Sequence, residues 1–529
     1  MDFYLIIVIS LIVLATADLI VGVSNDAVNF LNSAVGSKAI SFKTIMIIAS
    51  LGVCVGAVFS SGLMEVARKG IFNPDLFYFD EIMVLFMAVM ITDILLLDFF
   101  NSLGLPTSTT VSIVFELLGA AVAISLIKIY SGEYNTLIDY INIGKASQII
   151  LGIFLSIIIA FSVGAVVQYI TRLILSFKFR KKPKWVNGIF GALSMTSLTY
   201  FILVKGIKGT PFADTKFNFL GGLLLEDFIA NHTLLVVTIS LVVWINISLI
   251  LVYFFKNDIY KTIIIVGTFS LALAFAGNDL VNFIGVPIAA WQSFTEWKIS
   301  GLSPELFNMS FLSSKVSSPT LILIFAGLVM VVTLWFSKKA KKVLKTSIDL
   351  SNQNKVNERF QANFLSDIIV KSFIKISKNV EKFVPEKINL FIAKQFDNSF
   401  IENKFEASED SPAFDNVRAS INLTIAAILI SLATSYKLPL STTYVTFMVA
   451  MGTSLADKAW GSESASYRVA GVINVICGWF LTAFVAFTIC GIIAVVLFYG
   501  KLISLSILII LAAILYINNQ KTSRFKWRL

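Results

Sequence analysis

Histidine and cysteine are nearly missing from this chain. Its 529 residues include one histidine, His232, and three cysteines, Cys54, Cys477 and Cys490, each set in an apolar run. Those spacings give no CxxC pair and no disulfide framework. A histidine-rich zinc site is excluded, and a Ser-His-Asp triad would have only His232 to draw on. Charge is scarce as well: 14% of residues are Asp, Glu, Lys or Arg, against about 25% in a soluble domain. Most of the chain therefore does not face water, and the commoner membrane hydrolase chemistries lack their residues. The chain reads as something other than an enzyme.

What is present is apolar sequence, 57% of the chain. Runs such as Leu5 to Ile20, Ile45 to Leu63, Ile82 to Leu97, Ile149 to Ile170, Leu234 to Phe255, Leu321 to Phe336 and Ile421 to Leu432 recur along its length. Many approach or exceed the roughly 20 residues a helix needs to cross a bilayer. Backbone polar groups in lipid must be satisfied internally, which favours helices. A membrane barrel would instead show alternating segments of about 10 residues. The first run follows Met-Asp-Phe-Tyr, with no basic n-region and no small-residue cleavage site, so it is expected to be a retained span.

The net charge is +10, and the basic residues cluster beside apolar runs. Lys178 to Lys182, Lys256 and Lys261, Lys338 to Lys342, and the tail from Lys521 to Arg528 are the main groups. The positive-inside rule places them on the cytoplasmic side, with no need of a nucleic-acid partner. A polar segment, 337–417, separates a membrane block at 1–336 from a second at 418–529. That cytoplasmic insert holds amphipathic stretches at 368–374 and 380–383. They fit either helices lying on the membrane surface or a solvated helical linker.

Two motifs recur in the same order. Gly22-Val23-Ser24-Asn25-Asp26-Ala27-Val28-Asn29-Phe30 is matched by Phe275-Ala276-Gly277-Asn278-Asp279-Leu280-Val281-Asn282-Phe283. Leu105-Pro106-Thr107-Ser108-Thr109-Thr110 is matched by Leu438-Pro439-Leu440-Ser441-Thr442-Thr443. The offsets are 253 and 333, and the insert accounts for the difference. Counting spans outward from the basic clusters makes the two copies inverted in the membrane, the geometry of alternating-access carriers. The expected fold is an all-α polytopic membrane protein of two inverted repeats. It should have 11 to 13 membrane segments, some of them re-entrant or broken.

The motifs carry distinct chemistry. An aspartate at the bilayer centre costs roughly 2.5 to 3.5 kcal/mol, so Asp26 and Asp279 mark an ion pathway. Asn25 and Asn29, like Asn278 and Asn282, are four apart and share a helix face. Carboxylate and amide oxygens suit a hard cation; a proton relay or a seam between repeats uses the same groups. Gly22 and Gly277 would permit local unwinding. The Pro-x-Ser-Thr-Thr segments read as helix starts, with Pro ending one helix and Ser or Thr capping the next. Helix N-termini within a membrane attract anions. Ser108, Thr109, Thr110, Ser441, Thr442 and Thr443 add hydroxyl donors for a tetrahedral oxyanion. Asp93, Asp98 and Glu116 are further acids on apolar stretches, fit either to pair with a cation or to act within the bundle. Glu65 with Arg68 and Lys69 reads as a span-end cluster. Arg468 would neutralise a buried acid or snorkel.

Taken together these motifs resemble the inorganic phosphate transporter (PiT) family. The Gly-x-Asn-Asp-x-x-Asn signature is followed by Val35-Gly36-Ser37, and Glu65 is followed by Arg68-Lys69-Gly70. The Pro-x-Ser-Thr-Thr motif stands in both halves. The resemblance covers both membrane blocks and not the insert. The sequence departs at Val111 and Tyr444, where many members have His, at Val53, where some have Glu, and at Ser24, where Ala is usual. The resemblance implies symport of inorganic phosphate with sodium or protons in a multi-pass protein of the plasma (inner) membrane. Cation binding falls to Asn25, Asp26, Asn29, Asn278, Asp279 and Asn282, with sodium, where it is the coupling ion, on Asp26 and Asp279. Phosphate binding falls to the two Ser-Thr-Thr segments. No cofactor is expected beyond bound sodium ions, and a homodimer is compatible with the family. The rival readings are a sulfate or other oxyanion carrier on the same scaffold, and a polytopic membrane enzyme or sensor.

Overall fold

A computed structural model describes residues 3–58, 70–206, 224–255, 258–313, 319–353, 361–397, 411–435, 440–458 and 465–522. The Glu65 cluster and Pro439 lie outside the described residues. The first repeat comprises α1 (Phe3–Asp26), α2 (Val28–Ser37), α3 (Phe42–Val58), α4 (Phe79–Leu103) and α5 (Thr109–Tyr130). A short α6 (Leu137–Tyr140) leads to α7 (Ile143–Leu175), α8 (Lys184–Gly206), α9 (Leu225–Asn231) and α10 (Thr233–Tyr253). The second repeat opens with α11 (Ile259–Ser300) and α12 (Thr320–Phe336). The insert contributes α13 (Lys338–Ser351), α14 (Phe364–Phe383) and α15 (Glu386–Gln395). The chain then completes α16 (Asn416–Ser435), α17 (Thr442–Ala456) and α18 (Ala465–Thr522). Among the described residues the only β pairing is two isolated bridges.

Among the described residues, nine helices are long and apolar enough to cross a membrane, and a tenth span is formed if α12 and α13, bent by 67°, are taken together. The 17-residue apolar helix α3 is shorter than these, and α18 breaks at Lys501 (φ 44°, ψ −125°). The protein is an integral, multi-pass membrane protein. Leu151, Leu155 and Ile158 on α7, and Leu234, Ile239 and Val242 on α10, are exposed, as lipid-facing surfaces require.

The repeats are inverted, and the contact between their motif helices displays it. Gly22 of α1 lies under Phe283 of α11, so close that an added Cβ would fall 2.0 Å from the ring. Further on, the Phe30 and Phe275 rings sit 5.3 Å apart. Ascending from 22 to 30 in one copy therefore means descending from 283 to 275 in the other. The two Asn-Asp motifs fall midway along this antiparallel crossing. Gly22 is there for close approach and not for unwinding. The chain is helical through Gly22 and through Gly277, so the unwinding anticipated at both is not present.

The helices that start at the two Ser-Thr-Thr segments, α5 and α17, pack on α18 and α7 respectively, and a glycine sits at each crossing. A Cβ on Gly119 of α5 would stand 2.1 Å from the Phe487 carbonyl oxygen of α18. One on Gly452 of α17 would stand 2.2 Å from that of Phe161 in α7. Both obstacles are backbone and have nowhere to move. Gly452→Val should cost about 1–3 kcal/mol, the usual penalty of overpacking. Gly144→Ala, with nothing within 4 Å of the added carbon, should be neutral. Melting of the detergent-solubilised variants checks this, and equal melting temperatures would remove the account.

α13 begins where Ser337 caps it by accepting from the Ala340 N–H at 3.1 Å. Its apolar face, with Ala340, Val343, Leu344 and Leu350, is buried against helices of both repeats. The far end of α13 meets a buried ionic network. Arg172 on α7 donates to both oxygens of Asp457 and to Asp415 at 2.8 Å. Gln168 and Gln353 also donate to Asp457, and Arg418 donates to the Ser351 carbonyl. Arg468, buried, donates to the Asn352 carbonyl. The network joins α7, α13, α16, α17 and α18 at the face carrying the insert.

Candidate functional site

α4 stops inside the bundle because Gly104 takes a left-handed conformation (φ 68°) and its N–H returns to the carbonyls of Phe100 and Asn101. Pro106 prevents resumption in the old direction. α5 starts afresh at Ser108, whose Oγ accepts from the Val111 N–H at 3.2 Å. Ser441 caps α17 in the same way, accepting from the Tyr444 N–H at 3.2 Å. Ser108 and Ser441 are both 0% exposed. Two helix N-termini thus lie buried in the protein interior, where their unpaired N–H groups make positive ends.

Both N-termini converge on the two aspartates. Asp26 accepts from Thr109 at 2.9 Å and from Thr443 at 3.1 Å. Asp279 accepts from Thr442 at 2.8 Å and from Thr110 at 3.4 Å. Each carboxylate therefore takes one hydroxyl from its own repeat and one from the other. The asparagines obey the same two-fold relation: Asn29 donates to Thr443 at 2.9 Å, and Asn282 donates to Thr110 at 3.1 Å. Asn25 is held apart from this cluster. It accepts from the Thr107 N–H at 2.8 Å and donates to Asn101 and to the Leu105 carbonyl, pinning the loop before α5. Asn278 is half-buried beside Asp279.

All twelve residues singled out from the sequence lie on the elements that meet here. In this structure the hydroxyls of Thr109, Thr110, Thr442 and Thr443 are donated to the two aspartates. Their hydrogens point at Asp26 and Asp279, which leaves their oxygen lone pairs, with the carboxylates and the Asn29 and Asn282 amides, as a set of oxygen ligands suited to a hard cation. Ser108 and Ser441 accept from the backbone through their oxygens, at helix N-termini of the kind that attract anions.

Sequence reasoning passed over three contributors. Asn101 donates to the Val21 carbonyl at 2.8 Å and accepts from Asn25, locking α4 to α1. Thr107 positions Asn25 through its backbone. Thr446 donates to Asn29 at 3.3 Å, one turn after Thr442. A lone polar residue near the end of an apolar run was the only signal for Asn101. Of the weaker candidates, Asp98 accepts from Lys339 at 2.5 Å and from Asn519 at 2.9 Å. It belongs to the contact with α13 and not to the cluster. A cavity of about 440 Å³ is lined by Ser24, Asp98, Asn101, Ser337 and Lys339 among others. Tyr444, where the resembled family often has His, stacks on Trp479 with ring centroids 3.9 Å apart. Trp479 in turn donates to the Pro106 carbonyl at 2.9 Å, which steadies both helix starts.

Comparison with known proteins agrees with this architecture. Residues 22–347 match the model of the phosphate transporter family. A relative from Pyrococcus abyssi named "Putative phosphate permease" is 27% identical over 322 residues, 58% of this chain and 68% of its own length. One of the same name from Thermococcus kodakarensis is 28% identical over 291 residues, covering 53% of this chain and 65% of that protein. A solved structure described as "The sodium-dependent phosphate transporter" superposes with a TM-score of 0.60 at 18% identity, over 93% of this chain and 98% of that one. At that identity the likeness is one of fold.

Proposed function

The chain belongs to the phosphate transporter family, and on that premise we propose that it is a cation-coupled symporter of inorganic phosphate working by alternating access. It is a transporter and not an enzyme. The observation that carries the proposal is the pair of carboxylates lodged where two buried helix N-termini converge. The N-termini attract an anion and the carboxylates repel it. Two unit charges about 4 Å apart interact by roughly 4 kcal/mol at an effective dielectric of 20. Phosphate entering beside bare Asp26 and Asp279 meets that repulsion. A cation, sodium or proton, bound at the aspartates removes it. Cation and anion then bind together or not at all, which is what symport requires.

The antiparallel repeats supply the motion. Each half-site draws ligands from both repeats, so rocking one against the other breaks the cross-repeat contacts, Thr443 to Asp26 and Thr110 to Asp279, while the within-repeat contacts travel intact. The protein sits in the plasma (inner) membrane with the basic insert on the cytoplasmic side. Uptake of labelled phosphate into proteoliposomes tests the reading. Accumulation under an inward sodium or proton gradient is expected, with little effect of excess sulfate. Absence of uptake under both gradients would defeat the assignment, and strong competition by sulfate would favour a broader oxyanion carrier.

A further inference from the structure

A second group of ionisable side chains lies in the membrane interior and is not used by the symport site. Asp18 on α1, Asp93 on α4 and Glu116 on α5 are each 0% exposed. Asp93 stands within hydrogen-bonding reach of both others, forming a row of three carboxyls. Among the described residues the donor at the row is the Ser112 hydroxyl, 2.6 Å from Glu116 and beside Asp93, and both oxygens of Asp18 and one of Glu116 are without a protein donor. The nearest basic residue along α5, Lys128, lies about three turns beyond Glu116 and is committed to Glu81 at 2.8 Å.

Three ionised carboxylates facing one another in the protein interior, each 0% exposed, would repel one another strongly and carry a large desolvation penalty. A metal ion is one remedy. Among the described residues, however, no group of three His, Cys, Asp or Glu side chains is arranged to hold one. A proton is the other remedy: it turns an acceptor into a donor and links neighbouring carboxyls pairwise. The row is also not a structural necessity of the fold. The equivalent positions of the second repeat are Leu271, Ala426 and Val449, so the same helix packing is achieved there with apolar residues. Insertion of an acid at the bilayer centre costs about 2.5 to 3.5 kcal/mol, and one repeat alone bears that cost three times.

We propose that Asp18, Asp93 and Glu116 form a proton-binding site that takes up and releases a proton during the transport cycle. It is linked to the symport site through Asp26, about two turns further along α1. Among the described residues and apart from the three acids themselves, the titratable groups facing the row are Asp26, with Asp279 of α11 beyond it, and Cys490 of α18. Lys339 of α13 is held by Asp98. A cation arriving at Asp26 raises the local positive potential and favours proton release from the row; its departure favours proton return. This rests on the symport reading for its role in the cycle, while proton occupancy stands on the geometry alone.

Two measurements on the full-length protein in liposomes test it. The first is infrared spectroscopy of the carbonyl stretch that only a protonated carboxyl shows. At neutral pH the wild type should display this band, and Asp93→Asn and Glu116→Gln should diminish it. A band absent from the wild type, or unchanged in these variants, would overturn the proposal. The second is phosphate uptake against pH at fixed sodium. The wild type should show a limb approaching tenfold per pH unit, the limit for one linked proton. The variants should flatten that limb with Asp26 and Asp279 intact. A wild-type profile without such a limb, or the same limb in the variants, would mean the protons are static and would equally overturn it. Should the single variants fold poorly, the double variant Asp93→Ala with Glu116→Val copies the second repeat's own solution and reports on the same two readouts. Wild-type protein that moves no phosphate would defeat the symport reading, and the infrared measurement would still decide proton occupancy.

Discussion

Asp26→Asn and Asp279→Asn are each expected to abolish coupled phosphate uptake while the protein stays folded. Asparagine matches aspartate in size and keeps one acceptor oxygen, and its amide can donate to a threonine oxygen whose hydrogen has rotated away. Local packing therefore survives. The charge does not, and charge is what the site uses. Asp26 spends one oxygen on Thr109 and the other on Thr443, so its carboxylate is held in place, and on the proposed mechanism the cation binds there. A neutral amide there retains the helix N-termini and loses the means of holding the cation. A fall of at least about a hundredfold in uptake is expected, equivalent to roughly 2.7 kcal/mol at 1.36 kcal/mol per decade. Phosphate binding measured without a gradient should be weakened less, because removal of the negative charge also removes repulsion of the anion. Near-normal uptake in both variants would eliminate the carboxylates as the coupling element.

The two variants need not be equal. Asp26 is fully buried, whereas Asp279 has half-buried neighbours in Gly277, Asn278 and Asn282. The Thr110 contact to Asp279 is 3.4 Å, against 3.1 Å for its symmetry mate from Thr443 to Asp26. The tighter half-site contains Asp26, and Asp26→Asn should be the more severe in uptake.

Much of this site was legible because polar residues in a bilayer stand out. Asp26 and Asp279 interrupt apolar runs, and their repetition with the Ser-Thr-Thr segments gave both the duplication and the residues. The basic clusters gave the inversion, which the pairing of Gly22 with Phe283 and of Phe30 with Phe275 displays in space. What could not be read was which polar atom faces which. Helical spacing puts Asn25 and Asn29 on one face, yet Asn25 is drawn away by the Thr107 N–H and the Asn101 amide, residues about 80 positions distant. The direction of a threonine hydroxyl depends on a carboxylate from another repeat and leaves no trace in local sequence. Asp18 was hidden for a similar reason. On α1 alone it is one acid in a long span, and its meaning appears only when α4 and α5 bring Asp93 and Glu116 beside it. The glycines misled in the opposite direction, since chain flexibility was expected where the structure uses Gly22 for close helix contact.

The cross-repeat threonines allow the cation and anion roles to be separated by a single pair of substitutions. Thr110 and Thr443 donate to the aspartate of the opposite repeat. Valine preserves their branched shape and removes the hydroxyl. Thr110→Val with Thr443→Val takes one hydroxyl donor from each carboxylate, Asp279 keeping its contact with Asn282 at 3.4 Å, and removes two oxygen ligands from the cation's surroundings. A hydrogen bond to a charged group contributes about 1.5–3 kcal/mol, so a loss of roughly tenfold to a hundredfold in uptake follows. The loss should fall mainly on the cation: its half-saturating concentration rises by most of that factor, while the phosphate KM measured at saturating cation moves little. Serine at both positions restores the hydroxyls and should recover most of the activity. Had the hydroxyls served the anion directly, as the sequence alone suggests, phosphate KM would carry the change and the cation dependence would stay put. The structure favours the first outcome because these hydrogens are already committed to Asp26 and Asp279. On the proposed mechanism, phosphate would then be met by backbone N–H groups, which no side-chain substitution removes, and by Ser108 and Ser441. That mechanism puts recognition of the anion in the helix ends and its dependence on the cation in the threonine–aspartate pairs that cross between the repeats.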